Sequence, residues 1–390
     1  MGRLRDMQAL ARRYRAAAKE NRSAEFHDEL RESLEKKEVK PNEFSLRPLF
    51  EHLVDDGREI VDSWNPAYGG HGSINLIESG SAIDTAAFSN IFGQVTNAEV
   101  LAKFNDPSFI GDQLCTVVPT KFNGQKIPGM SRIGDMNESI AEGAPYPTAG
   151  NSEEWIDTPT TTKKGVIVPV TKEAVFFDNT GLVLDRAGEV AYWLGLNREK
   201  RILDAVLGIT TLYRRNGAAA IATYQTSTPY VNSQSNAMVD WTDFEAAELL
   251  FDAMVDPNTG ELISVIPNTV IVPTALKHTA KRIVNATETR TAVGGYATSG
   301  NLGSYGTPNT LDSYNVITSP LVKARTSSAS TWFMGDFKRA FRYMENWPIT
   351  VAQAAVNSEA EFTNDIVARF KVSERGTPAV IEPRYVCKNT

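Results

Sequence analysis

The sequence has little of the chemistry from which many enzymes and metal sites are built. Its 390 residues include two cysteines, Cys115 and Cys387, and four histidines. The two cysteines lack the spacing of a zinc or redox motif, which favours reduced thiols packed in the interior. The histidines are far apart in the chain, and none has ligand spacing with cysteine or carboxylate residues.

Long hydrophobic runs and catalytic motifs are also missing. No stretch has the ~18 consecutive apolar residues that a membrane helix needs. The basic N-terminus has no apolar core, which excludes a secretory signal. P-loop, HExxH and GxSxG motifs are absent, and the adjacent pairs 55–56 and 153–154 are expected to be solvated carboxylates. We therefore predict no enzymatic activity and no catalytic, cofactor-binding or metal-binding residue.

The net charge of −7 argues against a protein whose whole surface binds nucleic acid. A local basic patch is nevertheless present at the N-terminus. Two interpretations of this patch are open, contact with an acidic partner such as packaged DNA or a solvated or partner-packed helix face. The arginines concerned are Arg3, Arg5, Arg12, Arg13 and Arg15.

The first 75 residues are predicted to form a helical extension. Apolar residues at helical spacing indicate one helix within 1–40 and a second over 47–63, and a Gly-rich linker follows at 65–73. Such an extension exposes apolar surface that a single chain cannot cover. Candidates for that surface are Met7, Leu10, Phe50, Leu53 and Trp64.

The stretch that organises the chain runs from Glu142 to Gly208. It begins with the proline-containing segment 142–147, which has almost no apolar residues and must lie on another surface. Alternating residues around Val166 and Val168 predict a strand, and the 3.6-residue period over 182–208 predicts one long amphipathic helix. The pair Lys163–Lys164 fits either contact with acids of a neighbour or plain solvation.

Local signals elsewhere predict shorter elements. Asn123-Gly124 and Arg375-Gly376 are typical hairpin turns, the second between strands at 365–374 and 377–386. Thr242, with Glu245 three residues later, is expected to cap a helix, and Thr274 another. The Gly-, Ser- and Thr-rich segment 294–308 is predicted to be a mobile loop without a dinucleotide fingerprint.

The order of these motifs resembles that of the major capsid protein of tailed bacteriophages, whose fold is of the Hong Kong 97 type. The resemblance extends over about 84–390. The motifs that carry it are EGAPYP, KKGVIVPVTKEAVFFDNTG, the long helix, WTDFEAAELLFDAMVDPNTG, NTVIVPTALKHTAKRIV, WFMGDFKRAFRYMENWP and FTNDIVARFKVSERGTPAVIEP.

The resemblance implies an α+β chain with named parts. After the helical N-terminal extension at 1–75, they are an N-arm at 76–118, an extended E-loop hairpin at 119–170, a P-domain with the spine helix at 171–214, an A-domain at 215–335, and return strands of the A- and P-domains at 336–390. Some relatives carry an N-terminal scaffolding segment that a protease removes. Two alternatives are open for residues 1–75 of this chain: an unprocessed extension that knits neighbours together or lines the shell, which we favour, and a segment that is present because the particle is a precursor.

The implied function is self-assembly, as pentamers and hexamers, into an icosahedral head around a double-stranded DNA genome. Expected partners are other copies, scaffolding, portal and cement proteins, and non-specifically bound DNA, with no membrane. Assembly is expected in the host cytoplasm and the final location in the virion. Gly143, Gly165 and Gly181 are candidate hinges. Two alternatives are an encapsulin-like shell around protein cargo and a cytosolic enzyme.

Overall fold

The structure is a computed structural model. It describes residues 12–14, 16–17, 20, 22–36, 82–129, 140, 142, 154–171, 182–256, 260–292, 304–311, 313–353 and 366–390. The chain divides into two compact units. Unit 1 comprises Met1–Pro107, Lys163–Asn197 and Pro348–Glu374, and unit 2 comprises Ser108–Thr162, Arg198–Trp347 and Arg375–Thr390.

Helices and strands both occur in quantity, so the predicted α+β class is confirmed. The helices are α1 (Ser23–Glu35), α2 (Ala82–Phe104), α3 (Gly111–Leu114), α4 (Leu182–Val206), α5 (Trp241–Asp252), α6 (Lys277–Val284), α7 (Pro320–Thr326) and α8 (Phe337–Ala340). Two short 3₁₀ turns are Thr274–Leu276 and Pro383–Tyr385. The predicted long helix is therefore α4, with 25 residues.

The strands are β1 (Thr116–Pro119), β2 (Lys126–Pro128), β3 (Trp155–Asp157), β4 (Thr162–Thr171), β5 (Ser233–Gln234), β6 (Thr269–Val272), β7 (Glu288–Ala292), β8 (Ser304–Pro308), β9 (Asn315–Thr318), β10 (Trp332–Gly335), β11 (Phe341–Gln353), β12 (Ile366–Val380) and β13 (Val386–Asn389). The larger sheets have the orders β1-β11-β12-β4 and β5-β13-β10-β6-β9, and β2-β3 and β7-β8 are two-stranded.

Unit 1 is built from amphipathic helices and long strands. Helix α1 packs against α2 and buries Phe26, Leu30 and Leu34, as the helical spacing of apolar residues predicted. The first half of α4 buries Ala187, Ala191 and Leu194 in a cluster with residues of α2 and β12. The apolar stripe on α4 therefore forms part of a core.

Unit 2 contains the five-stranded sheet, and side chains alternate between its two faces. Phe333 and Ile271 point into the larger cluster, which also holds Ile202, Leu203 and Val206 from the second half of α4. Their neighbours along β6 and β10 point the other way, into a cluster that is covered by α5 and α6. The period of two along each strand produces this arrangement.

Both predicted hairpins are wrong. The strands that flank Asn123-Gly124 do not pair with each other, because β1 pairs in parallel with β11 and β2 pairs with β3. Gly124 does adopt a positive φ of 86°. Residues 375–376 lie inside the continuous strand β12.

Gly376 explains the second error. A Cβ atom at this position would lie 2.6 Å from Cε1 of Tyr343, closer than carbon atoms pack. The glycine is therefore required by the close approach of a buried ring rather than by a turn.

Two predicted helix caps are also wrong. The N-cap of α5 is Asp240, whose side chain accepts from the backbone N–H of Thr242 at 2.9 Å. Asp243, not Glu245, completes the capping box by accepting from the backbone N–H of Asp240 at 2.9 Å. Thr274 begins a 3₁₀ turn, and no side chain caps α6.

The segment predicted as a mobile loop at 294–308 is partly a strand. Its last five residues form β8, which pairs in antiparallel register with β7. The predicted helix over 47–63 and the linker at 65–73 lie outside the described residues.

Candidate assembly surfaces

Strand β4 is the most unusual surface of unit 1. It is the last strand in the sheet order, next to β12. Val166 and Ile167 are 47% and 59% exposed, although successive side chains on a strand point to opposite faces. Within the described residues, this part of β4 therefore has neither face covered and one edge unpaired. Such an exposed apolar edge strand is typical of a surface that binds another chain.

Gly165 places β4 tightly against its neighbour. A Cβ atom here would lie 2.7 Å from the carbonyl oxygen of Val372. The hinge role that we predicted for Gly165 stays a prediction, but the contact already accounts for the glycine. Lys163 and Lys164 are both exposed on the same strand.

The segment that leads to β4 is anchored in unit 2. Ile127 and Ile156 are buried in the β2-β3 ladder, and the Lys126 ammonium lies 4.4 Å from the centre of the Trp155 ring. Asn123 Oδ1 accepts from the Thr161 backbone N–H at 2.9 Å. These contacts join the two arms of the predicted E-loop on either side of residues 130–139, 141 and 143–153, which lie outside the described part of the chain.

Glu154 corrects an expectation about the pair 153–154. It is buried and forms an ion pair with Arg215, whereas we had expected a solvated carboxylate. The partner lies far along the chain, so adjacent residues alone could not reveal it.

The second half of α4 holds the segment before β1. Glu199 is buried and accepts from the backbone N–H groups of Ile110 and Gly111 at 2.9 and 2.8 Å. Burial raises the pKa of Glu199, and the two backbone hydrogen bonds oppose that shift. Arg198 pairs with Asp112 at 2.8 Å. These three interactions attach the end of the predicted N-arm to the helix.

Trp193 is a large apolar residue on the outer side of α4. It is 58% exposed, whereas Ala191 and Leu194 beside it are buried. The apolar stripe on α4 contains Ala187, Ala191 and Leu194, and position 193 lies outside it, which is the signal that Trp193 faces outward. An exposed tryptophan is typical of the centre of a protein–protein contact.

The predicted basic patch is only partly described. Arg12 and Arg13 are exposed, and Arg13 pairs with Glu29 at 3.3 Å. This pair favours the helix-face interpretation for Arg13. The other arginines of the patch, the five apolar candidates of the N-terminal extension, and Gly143 and Gly181 fall outside the described residues.

The described residues offer little for chemistry. No three His, Cys, Asp or Glu side chains among them come close enough to hold a metal ion. Cys115 and Cys387 are free and buried, as expected. No helix in this part of the chain is both long and apolar enough to cross a membrane.

A match to a known protein family shows which kind of protein this chain is. A family model described as phage capsid protein matches residues 155–389, more than half of the chain. The chain belongs to the phage capsid protein family. It is therefore a structural protein of the virion, and the predicted family and the α+β class of Hong Kong 97 type agree with this membership. No curated protein matches the chain.

Solved structures of low sequence identity are similar over most of the chain. A structure from Mycobacterium phage Ogopogo has 13% identity and a TM-score of 0.42, and the match covers 73% of this chain and 93% of the phage chain. The capsid of an empty GTA particle has 12% identity and a TM-score of 0.44, and the match covers 73% of this chain and 90% of the GTA chain. The capsid of cyanophage P-SCSP1u has 9% identity and a TM-score of 0.45, and the match covers 72% of this chain and 87% of the cyanophage chain.

Proposed function

We propose that the chain is the major capsid protein, which assembles as pentamers and hexamers into an icosahedral head around double-stranded DNA. The observation that carries the proposal is β4, which has exposed apolar residues on both faces and, among the described residues, a partner strand on one edge alone. A shell subunit needs such surfaces because its stability comes from obligate contacts with other copies, which bury ~2,000 Å² or more.

The named parts of the fold belong to the same proposal. Helix α4 fits the spine helix, and residues 119–170, which include all of β4 but its last residue, fit the E-loop that lies over a neighbour. The proposed A-domain at 215–335 falls wholly within unit 2. The proposed N-arm at 76–118 contains α2 and the segment that Glu199 holds.

Partners other than sister copies follow from the same role. Scaffolding, portal and cement proteins would contact the assembled shell, and DNA would line its interior without sequence specificity. A net charge of −7 suits a shell whose inner surface binds DNA weakly, because strong attraction over the whole inner surface would need a basic protein. Assembly would take place in the host cytoplasm.

Serine substitutions on β4 test the proposal. We expect Val166→Ser with Ile167→Ser to leave the stability of the isolated chain unchanged, since both side chains are exposed, but to abolish closed particles. The measurement is the fraction of chains in fast-sedimenting particles on a sucrose gradient. Ile209→Ser with Val231→Ser is the matched control, because these residues are each 44% exposed and lie outside β4.

Normal particles from the β4 variant would contradict the proposal. Particles that contain protein cargo and no nucleic acid would instead indicate the encapsulin-like alternative. A monomer or dimer under every condition would favour the enzyme alternative.

A further inference from the structure

Two helices of unit 2 carry opposite charge. Helix α5 and its capping residue contribute five acids and no base, namely Asp240, Asp243, Glu245, Glu248 and Asp252. Helix α6 has Lys277, His278, Lys281 and Arg282 and no acid. Like charges along one helix repel each other, so both helices are stabilised by their packing and not by their surface charges.

The two helices lie side by side on one face of the five-stranded sheet, near its two opposite edges. Phe244 and Phe251 of α5 and Ile283 of α6 enter the same apolar cluster, so both helices cover the same face of the five-stranded sheet. Helix α5 contacts β13 and α6 contacts β9. These strands are second and fifth in the order, which separates them by about 14 Å at ~4.8 Å per strand.

The outward charges are unpaired within the described part of the chain. The described ion pairs include neither Glu245 nor Asp252 on α5, nor Lys281 or Arg282 on α6. Leu249 is 60% exposed on the acidic helix, one turn after Glu245. A partner must therefore supply both positive charge and apolar contact, and the methylene stems of lysine and arginine supply both.

We infer that copies of this chain meet head to tail, with the acidic face of α5 in one copy against the basic face of α6 in the next. The inference rests on the proposed function and names the surfaces that would close its rings. A heterologous contact of this kind generates rings when the rotation closes. A second copy fits better than DNA, because a polyanion would be attracted to α6 and repelled by α5.

Charge reversal tests the contact. The acid-side variant carries Glu245→Lys and Asp252→Lys, and the base-side variant carries Lys281→Glu and Arg282→Glu. In each, like charges would face each other, so we expect at least a tenfold rise in the lowest protein concentration that yields particles. The chain with all four substitutions is expected to assemble near the wild-type concentration.

A mixture of the two variants distinguishes contacts between copies from misfolding. In alternating order, each reversed helix faces a helix of opposite charge, so six-membered rings should form where neither variant alone forms them. A misfolded variant would not be rescued in this way. Lys323→Glu with Lys338→Glu is the control for the base-side variant, because both lysines are exposed in the same unit outside α6 and their replacement changes the net charge by the same amount and sign.

Three results would overturn the inference. They are wild-type assembly by both variants, failure of the four-substitution chain and of the mixture to assemble, and an equal loss in the control. Added salt should improve assembly of each single-side variant, because it screens the repulsion, and no improvement would also count against the contact. If the wild-type chain itself formed no particles, the proposed function would fail before the charges were tested.

Discussion

Substitution of Gly376 tests whether this residue lies in strand β12, as in the structure, or in the hairpin turn that the sequence predicted. The structure places it in β12 with Cε1, Cζ and Oη of Tyr343 at 2.6 to 2.7 Å from the position of an added Cβ. Tyr343 is 1% exposed and has the Arg198 guanidinium 4.8 Å from its ring centre, so the ring has little room to move. Overpacking of this kind costs about 1–3 kcal/mol. Alanine also restricts the unfolded chain, which offsets about 0.4–1 kcal/mol.

We therefore expect Gly376→Ala to lower the free energy of unfolding by about 1–2 kcal/mol, and Gly376→Asn by at least as much. In a hairpin turn with positive φ, asparagine would be tolerated better than alanine. Urea denaturation followed by intrinsic fluorescence, below the concentration of assembly, measures both. In a Tyr343→Leu background the clashing atoms are gone, so Gly376→Ala should be nearly neutral. Unchanged stability of Gly376→Ala, or an asparagine variant more stable than the alanine variant, would refute the argument.

Three further predictions concern buried ionisable groups. Burial raises the pKa of Glu99, so the native state binds its proton more tightly than the unfolded state, and the stability that the residue contributes is lost as pH rises through the raised pKa. Glu99→Gln should then raise the free energy of unfolding at pH 7 but not below about pH 4, and an equal effect at both would contradict this. Arg384 binds the buried Glu382 carboxylate at 2.7 and 2.6 Å, so Arg384→Met should cost about 3–5 kcal/mol in urea denaturation and a double variant with Glu382→Gln less; equal costs would contradict the pairing. Burial raises the pKa of Cys387 to about 12 and that of Cys115 as well, so a thiol reagent at pH 8 should label neither in the native chain and both in denaturant, whereas rapid native labelling would show that they are accessible.

The sequence predicted elements whose signal is periodic. The apolar spacing over 182–208 indicated α4, and alternation near Val166 indicated β4, because helix and strand repeats place side chains on defined faces. Glycine signals were less reliable. Both Gly124 and Gly376 suggested hairpins. Gly124 does have a positive φ, but the strands beside it pair with other strands. Gly376 is required by the close approach of a ring, which cannot be known before the fold.

The candidate surfaces were harder to predict because they depend on topology. The opposite charges of α5 and α6 are visible in the sequence, but only the strand order shows that the two helices lie near opposite edges of the same sheet face. The exposure of Val166 and Ile167 on both faces of β4 likewise required the sheet. The Glu154–Arg215 pair shows the same limit for charges, since its members are distant in the chain.

Electron microscopy of the purified full-length chain tests the central claim most directly. The account predicts closed icosahedral shells built from pentamers and hexamers, with the β4 region of each copy lying over a neighbour in the reconstruction. A dispersed monomer at every protein and salt concentration, with both faces of β4 at Val166 and Ile167 covered by its own chain, would contradict it.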